Sequence, residues 1–278
     1  SMCEWVQIDR MTRHYEQAKI DANWKDGKVS VRTENVSRFI LFGPGMDFPK
    51  SIQIDGKEVV ASKAKGRVGV FERSDDAWIS LPADFSSAQF QKSPGIQGPI
   101  DDAFSGPFLC VVGSGIPNSP EMHEAALAQL HRFQREWNKY MRGELIVKKD
   151  SEVTQKDRQG SNLILFGDPG SNSLIAELMG KSPVVWTQKE LNYGSTSFEP
   201  STHLPMWIQP NPNRSGQYVV VNSGHTFHEA EFKGTNAQLY PRLGDFAVVR
   251  PTPTKTDPAA FEIVIAGLFD EDWKFPKK

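Results

Sequence analysis

The run FLCVVGSGIPNSPEMHEAALAQLHRFQREWNKYMRG, residues 108–143, decides the fold of the larger part of this chain. Its first five residues are all apolar, which is typical of a strand buried on both faces of a sheet. Helical spacing then relates Ala125, Leu130, Phe133, Trp137 and Met141. Ser119 can cap such a helix, Pro120 suits its first turn and Gly143 can end it. The run therefore predicts a strand, a glycine-rich turn and a long helix.

The same alternation of strand and helix patterns continues toward the C-terminus. Strand patterns occupy residues 145–147 and 163–166, and helix patterns occupy 151–158 and 173–179. Further apolar segments follow at 184–186, 206–208, 218–221 and 246–249, with a hairpin expected around Tyr193-Gly194. Because consecutive βαβ units build a parallel sheet, residues 108–278 are predicted to form a doubly wound, mostly parallel α/β domain of the flavodoxin or Rossmann type, with an antiparallel insertion.

The N-terminal third has a different pattern. Short alternating segments at 5–8, 18–22, 28–33, 39–42, 68–71 and 78–81 are typical of strands. Two Asp-Gly pairs, Asp26-Gly27 and Asp55-Gly56, favour tight hairpin turns because both turn residues there need positive φ. Residues 1–92 are therefore predicted to form a β-sandwich-like domain, and the Gly- and Pro-rich residues 93–107 a linker.

Composition narrows the range of partners. The 278 residues include 32 Lys and Arg against 34 Asp and Glu, so the net charge of −2 gives no basis for a nucleic-acid partner or an anionic membrane surface. No apolar stretch is long enough to span a bilayer. Cys3 and Cys110 are far apart, and a buried free thiol is expected at Cys110. The opening Ser1-Met2 is typical of a tag remnant, so we expect the natural protein to continue upstream. The cellular compartment, secreted or periplasmic locations included, stays open.

Small polar residues follow three of the predicted strands. In a parallel sheet the carboxyl ends of the strands share one edge, where ligands bind. This pattern predicts a ligand-binding rim made of Gly113, Gly115, Gly167, Gly170, Asn172, Asn222 and His228. The helix predicted after Asn172 would offer unpaired amides to an anion. The alternative interpretation is that all three segments are ordinary strand-to-helix turns.

Candidate catalytic groups lie at the same strand ends. Ser114, Ser171 and Ser223 are possible nucleophiles, with His225 as base and Asp168 as its orienting partner. The chain contains no Gly-x-Ser-x-Gly pentapeptide, which a nucleophile elbow requires. Neither glycine loop completes a nucleotide-binding motif, so no cofactor is predicted. A metal on His225, His228, Glu229 and Glu231 is a weaker hypothesis than an ordinary acidic helix start, and no metal is predicted.

Four longer strings carry a resemblance to a known family. They are GPIDDAF at 98–104, NLILFGDPGSN at 162–172, QPNP at 209–212 and YVVVNSGHTF at 218–227. Together they resemble the C-terminal region of bacterial prolyl-oligopeptidase-family α/β-hydrolases. Residues 5–8 and 18–22 are similar to the sandwich-like piece that follows the hydrolase domain there. The resemblance implies a partner region of a serine hydrolase whose catalytic elbow lies upstream, since no stretch of this chain matches that elbow.

Three functions follow as hypotheses. The first is a noncatalytic module of a serine hydrolase or peptidase that shapes substrate access or partner binding, with an upstream α/β-hydrolase domain as its partner. The second is an esterase or peptidase in its own right, acting on a small-molecule or peptide substrate at the rim. The third is a small-molecule or glycan binding domain, for which Trp5 and Trp24 could provide a sugar platform unless they are core residues.

Overall fold

The computed structural model describes residues 2–13, 16–43, 48–62, 68–82, 91–93, 95–227, 232 and 241–276. The chain is sheet-rich with mixed α and β elements, and it divides into two compact units, Ser1–Gly95 and Ile96–Lys278. Each unit has its own apolar core.

Nine strands lie in the described part of the first unit. They are β1 (Met2–Cys3), β2 (Val6–Met11), β3 (Lys19–Lys25), β4 (Lys28–Glu34), β5 (Val36–Phe42), β6 (Ser51–Ile54), β7 (Lys57–Val60), β8 (Val68–Ser74) and β9 (Ala77–Leu81). One sheet has the order β1-β2-β5-β8-β9 and the other has the order β3-β4-β6-β7. Side chains of both sheets, among them Phe39, Phe71, Val31 and Ile54, share one buried cluster. The alternation of the sequence thus directs one face of each sheet into a common core.

Both predicted Asp-Gly turns are confirmed. Asp26 and Gly27 have φ of 50° and 72°, and Asp55 and Gly56 have φ of 50° and 80°. The turns join β3 to β4 and β6 to β7, so each of these strand pairs is a hairpin. Trp24 packs edge-on against Trp5, with ring centroids 5.6 Å apart, and both rings contact the core cluster. These two tryptophans therefore act as core residues and do not form an exposed platform.

The second unit contains ten strands and three α-helices among its described residues. The strands are β10 (Phe108–Val112), β11 (Val147–Lys149), β12 (Asn162–Phe166), β13 (Val184–Trp186), β14 (Leu191–Tyr193), β15 (Thr196–Phe198), β16 (Leu204–Pro210), β17 (Tyr218–Val221), β18 (Phe246–Pro251) and β19 (Phe261–Gly267). The helices are α1 (Pro120–Glu136), α2 (Gln155–Gly160) and α3 (Ser173–Leu178).

Seven of these strands form one mixed sheet in the order β11-β10-β12-β17-β16-β18-β19. The pairings among the first four strands are parallel, and the other three pairings are antiparallel. The expectation of a mostly parallel sheet therefore holds for half of the pairings. The change of direction has a simple cause: a short turn joins β16 to β17, which pair from Pro210 and Tyr218 onward, and short connections produce antiparallel neighbours. The strands β13, β14 and β15 form a separate antiparallel sheet.

The long helix is present, but it ends differently from the prediction. The Ser119 side chain accepts a hydrogen bond from the Met122 amide and caps α1. A π-helical turn over Trp137–Met141 follows, and Arg142, with φ of 56°, takes the left-handed position that the sequence assigned to Gly143. The residue that ends this helix is therefore not a glycine.

Two further features depart from the predicted boundaries. Residues 96–107, expected as a linker, belong to the second unit, where a 3₁₀ turn over Ile100–Phe104 buries Ile100 and Ala103 completely. The edge strand β19 was not predicted, although its apolar residues continue the sheet beyond β18. In both places tertiary pairing orders a segment whose local pattern is weak.

Candidate functional site

The predicted rim lies at the carboxyl ends of β10 and β12, with β11 and β12 on opposite sides of β10. The chain leaves β10 through α1 to reach β11 on one side, and then crosses through α2 to β12 on the other side of β10. The loops 113–119 and 167–172 follow the carboxyl ends of β10 and β12. In open α/β sheets this position is where a ligand crevice is expected.

The two loops fill that crevice with their own backbone. The Gly115 amide donates to the Ser171 carbonyl at 2.8 Å. A Cβ on Gly113 would lie 2.4 Å from that same carbonyl oxygen, and a Cβ on Gly170 would lie 2.7 Å from the Ile116 carbonyl oxygen. The glycines therefore allow the loops to approach each other, rather than allowing a ligand to approach the backbone.

Gly167 belongs to the same contact. It has φ of 125°, and a Cβ there would lie 2.6 Å from the Ser171 hydroxyl oxygen. That hydroxyl is buried, accepts from the Asp168 amide at 2.9 Å and donates to the Asp168 carbonyl at 3.3 Å. Ser171 is thus fully engaged within its own loop.

Asp168 organises both loops. One carboxylate oxygen accepts from the Gly170 and Ser171 amides at 2.9 and 2.8 Å. The other accepts from the Asn118 and Ser119 amides at 2.8 and 3.3 Å, just before α1 begins. The side chain is only 2% exposed. Four backbone donors satisfy the buried charge, and no histidine is among its hydrogen-bond partners in the described chain.

Ser114 is the exposed serine of the three candidates, and its partner is a residue that the sequence analysis missed. Its hydroxyl donates to Asp150 at 2.6 Å, and its amide donates to the same carboxylate oxygen at 2.9 Å. Although burial opposes ionisation, hydrogen bonds from Ser114 and Ser173 lower the pKa of Asp150 to about 2. The hydrogen bonds that lower this pKa make Asp150 a poor proton acceptor for the Ser114 hydroxyl.

The helix end predicted to bind an anion is also occupied from within. The other oxygen of Asp150 accepts from the Ser173 amide at 2.7 Å. The Asn172 side-chain oxygen accepts from the Leu174 and Ile175 amides and caps α3. The carboxylate of this chain thus takes the place that the prediction gave to an external anion.

The third loop is tied to its neighbours in the same way. Asn222, with φ of 54°, accepts from the Gly167 amide at 2.9 Å and donates to the Pro205 carbonyl at 3.3 Å. The Ser223 hydroxyl is buried and donates to the Gly224 carbonyl at 2.8 Å. No hydrogen bond joins any of the three candidate serines to His225 in the described residues, so the structure does not assemble the predicted triad.

His225 is buried in an aromatic cage. Its ring stacks on Phe227 at 5.7 Å and meets Phe133 edge-on at 5.4 Å, and only 1% of the residue is exposed. Its Nε2 lies 3.0 Å from a carboxylate oxygen of Glu136 in α1, and Arg132 donates to its carbonyl at 3.1 Å. These contacts make His225 a packed core residue that holds the loop after β17 against α1.

A small cleft lies beside this loop. It measures about 60 Å³ and is lined partly by Gln129, Arg132, Ser223 and Thr226. Ligand pockets usually measure roughly 300–1,000 Å³. The cleft has room for a few water molecules and is far too small for a peptide or ester substrate.

Three of the four strings quoted above, 98–104, 162–172 and 218–227, meet in one hydrogen-bonded network. Tyr218 donates to Asp102 at 2.5 Å and accepts from the Gln97 amide at 2.7 Å. Asp101 accepts from both the amide and the hydroxyl of Thr226. Burial raises the pKa of Asp101, against the opposing effect of the Thr226 hydrogen bonds. The paired aspartates therefore tether the segment 98–104 to the ends of β17.

Asn162 adds a further link to this network. Its amide nitrogen donates to the Ala103 carbonyl and its oxygen accepts from the Tyr218 amide, both at 2.8 Å. Because burial and the nearby Asp102 raise the pKa of Tyr218, its phenol remains protonated and can donate throughout the physiological pH range. These three strings thus stabilise the fold of the second unit.

The candidate metal ligands lie mostly outside the described residues, and the candidate thiol is buried. His228, Glu229 and Glu231 lie outside the described residues, as does most of the segment from 229 to 239. Within the described ranges no three His, Cys, Asp or Glu side chains cluster as a metal site. Cys110 is a free, fully buried thiol, and burial raises its pKa to about 12. In the part of the chain described here, no helix combines the length and apolarity needed to cross a membrane.

Comparisons with protein-family models, with curated proteins and with solved structures found no match to this chain.

Proposed function

We propose that this chain is a noncatalytic module of a larger serine hydrolase or peptidase, where it shapes substrate access or partner binding. One observation carries the noncatalytic half of the proposal: the hydroxyls of Ser114, Ser171 and Ser223 are engaged by a poor base or by backbone carbonyls. A serine nucleophile needs a base within hydrogen-bonding reach, and His225 instead lies beside Glu136.

The link to a hydrolase rests on the four resembling strings. Three of them, 98–104, 162–172 and 218–227, build the polar network around Tyr218 and the loop contacts around Asp168, so the likeness there concerns residues that hold this module together. Four of the candidate catalytic residues, Asp168, Ser171, Ser223 and His225, lie within these strings, but in the described residues no hydrogen bond joins either serine hydroxyl to His225. The pattern is the one expected of an accessory region whose partner is an upstream α/β-hydrolase domain.

We also infer that the second unit is a doubly wound α/β domain. The order β11-β10-β12-β17, with a reversal at β10, supports this inference. The antiparallel strands β16, β18 and β19 would then be an extension at one edge of the wound sheet.

The access-shaping role is tested in the natural polypeptide. Turnover of a dipeptide ester and of a peptide of about 30 residues is measured with and without residues 1–278. We expect the ratio of the two turnover rates to change while the small ester is still hydrolysed. An unchanged ratio, or an upstream sequence that lacks a hydrolase domain, would overturn the proposal.

A further inference from the structure

A groove lies in the first unit, among its described residues. It measures about 950 Å³ and lies between the β3–β4 hairpin and the start of β6. Such a volume is near the top of the usual ligand-pocket range of roughly 300–1,000 Å³. The cleft beside the loop after β17, at about 60 Å³, is far smaller.

The groove opens where two neighbouring strands separate. β4 and β6 pair as parallel strands through Ser30 with Gln53 and Val31 with Ile54. Nearer their starts, the described residues show no pairing of Lys28 or Val29 with β6. The separation places main-chain edges of β4 and β6 along the walls of the groove.

Along the β3–β4 hairpin, the charged side chains that face each other are of opposite sign away from the groove and of the same sign beside it. Away from it, opposite charges face each other across the two strands: Lys19 pairs with Glu34, and Asp21 pairs with Arg32. At the turn, Lys25 faces Lys28 directly. Like charges in directly opposed positions destabilise a sheet, so this pair departs from the arrangement of the rest of the hairpin.

A third lysine adds to this positive cluster. Lys50 lines the same groove, and the side chains of Lys25, Lys28 and Lys50 are exposed and take part in no ion pair within the described residues. The lining also contains two acidic side chains, Asp26 and Glu58, so the lysines outnumber the acidic groups by one. Ammonium groups that have no ion-pair partner beside a cavity are the expected recognition elements for an anionic ligand.

We propose that this groove binds an extended acidic peptide segment, with its carboxylates on Lys25, Lys28 and Lys50. Carboxylates two residues apart on an extended chain lie on one face, about 7 Å from each other, so each can contact a different lysine. Its backbone can pair with the main-chain edges of the separated strands. An acidic glycan fits less well, because the lining contains no aromatic ring on which a sugar could stack.

The test is fluorescence polarisation with a labelled peptide of alternating glutamate and threonine. The uncharged control replaces each glutamate with glutamine. The full 278-residue chain is compared with K25S/K28S, with K50S as a second groove variant and with K19S/K57S as a matched control outside the lining. Urea unfolding midpoints confirm that the variants are folded.

We expect saturable binding of the glutamate peptide, about tenfold weaker binding by K25S/K28S and little change in K19S/K57S. Weaker binding at high salt is also expected, since these contacts are exposed. Equal binding of the glutamine peptide, equal weakening by the control variant, or no binding would overturn the proposal. Preferential binding of an oligouronate would also overturn it and assign the groove to an acidic glycan. The result is independent of whether the chain belongs to a hydrolase.

Discussion

Two polar regions of this molecule differ in what their polar groups do. The rim of the second unit has the residue types of an active site, yet Asp168, Ser171 and Asn172 direct their polar atoms to the protein's own backbone. The groove of the first unit has an ordinary surface composition, yet three lysines there have no partner within the described residues. Unengaged polar groups are therefore a better indication of a binding site than residue types at strand ends.

The largest expected effect concerns the statement that the polar groups of the rim stabilise the protein's own backbone, and it is tested at Asp168. Asp168→Ala removes the acceptor of four backbone amides in a site that is 2% exposed. Unsatisfied buried donors cost about 1–3 kcal/mol each, so we expect at least about 3 kcal/mol of destabilisation. Urea unfolding measures the change, with the exposed Glu144→Ala as control. A variant as stable as the wild type would show that this carboxylate does not organise the rim.

The packing of the two loops is tested next. A Cβ on Gly113 would lie 2.4 Å from the Ser171 carbonyl oxygen, whereas nothing lies within 4 Å of a Cβ on Gly106. We expect Gly113→Ala to lower the free energy of unfolding by about 1–3 kcal/mol through overpacking, and Gly106→Ala to change it far less. If the two variants were equally stable, the crevice would have room for a ligand after all.

The pH dependence of stability tests Asp150. Its folded pKa is lowered to about 2, so its contribution to stability is fully present above the unfolded value of about 3.9 and is lost as the pH falls through 2. The urea midpoints of the wild type and Asp150→Asn should therefore differ more at pH 6 than at pH 2.5. A difference that stays constant across this range would contradict the role given to the ionised carboxylate.

The smallest effect concerns the groove. Lys28→Glu converts the Lys25–Lys28 pair into an attractive one, and we expect a stabilisation of about 0.2–1 kcal/mol that decreases at high salt. Lys57→Glu, opposite Ile54, should change stability less. Thermal unfolding with and without 1 M NaCl measures both variants. Destabilisation by Lys28→Glu would mean that the two lysines do not repel each other in the folded protein.

The sequence predicts much of the fold for clear reasons. Asp26-Gly27 requires a hairpin because few other pairs adopt two positive φ values, and Pro120 after Ser119 marks a helix start. The edge strand β19 and the mixed direction of the sheet depend on tertiary pairing, which no local pattern contains. A helix end at Arg142 is equally hidden, because the left-handed conformation there is imposed by the surrounding structure.

The site was harder to predict than the fold. Position at strand ends correctly indicated which loops meet, since Gly115 and Ser171 are in contact. The same pattern did not indicate that Asp150, distant in sequence, would accept hydrogen bonds from both the Ser114 hydroxyl and the Ser173 amide at the start of α3. The register of the β3–β4 hairpin predicts that Lys25 lies opposite Lys28. This like-charged pair indicates a binding site only by contrast with the two oppositely charged pairs farther along the same strands.

The central proposal, that none of Ser114, Ser171 and Ser223 is an activated nucleophile, is tested most directly by intact mass after incubation with a fluorophosphonate probe. Heat-denatured protein and Ser114→Ala are the controls, since Ser114 is the exposed candidate. The account predicts no adduct on the native wild type. A single stoichiometric adduct that is absent from the denatured protein would contradict it, and its loss in Ser114→Ala would identify the nucleophile.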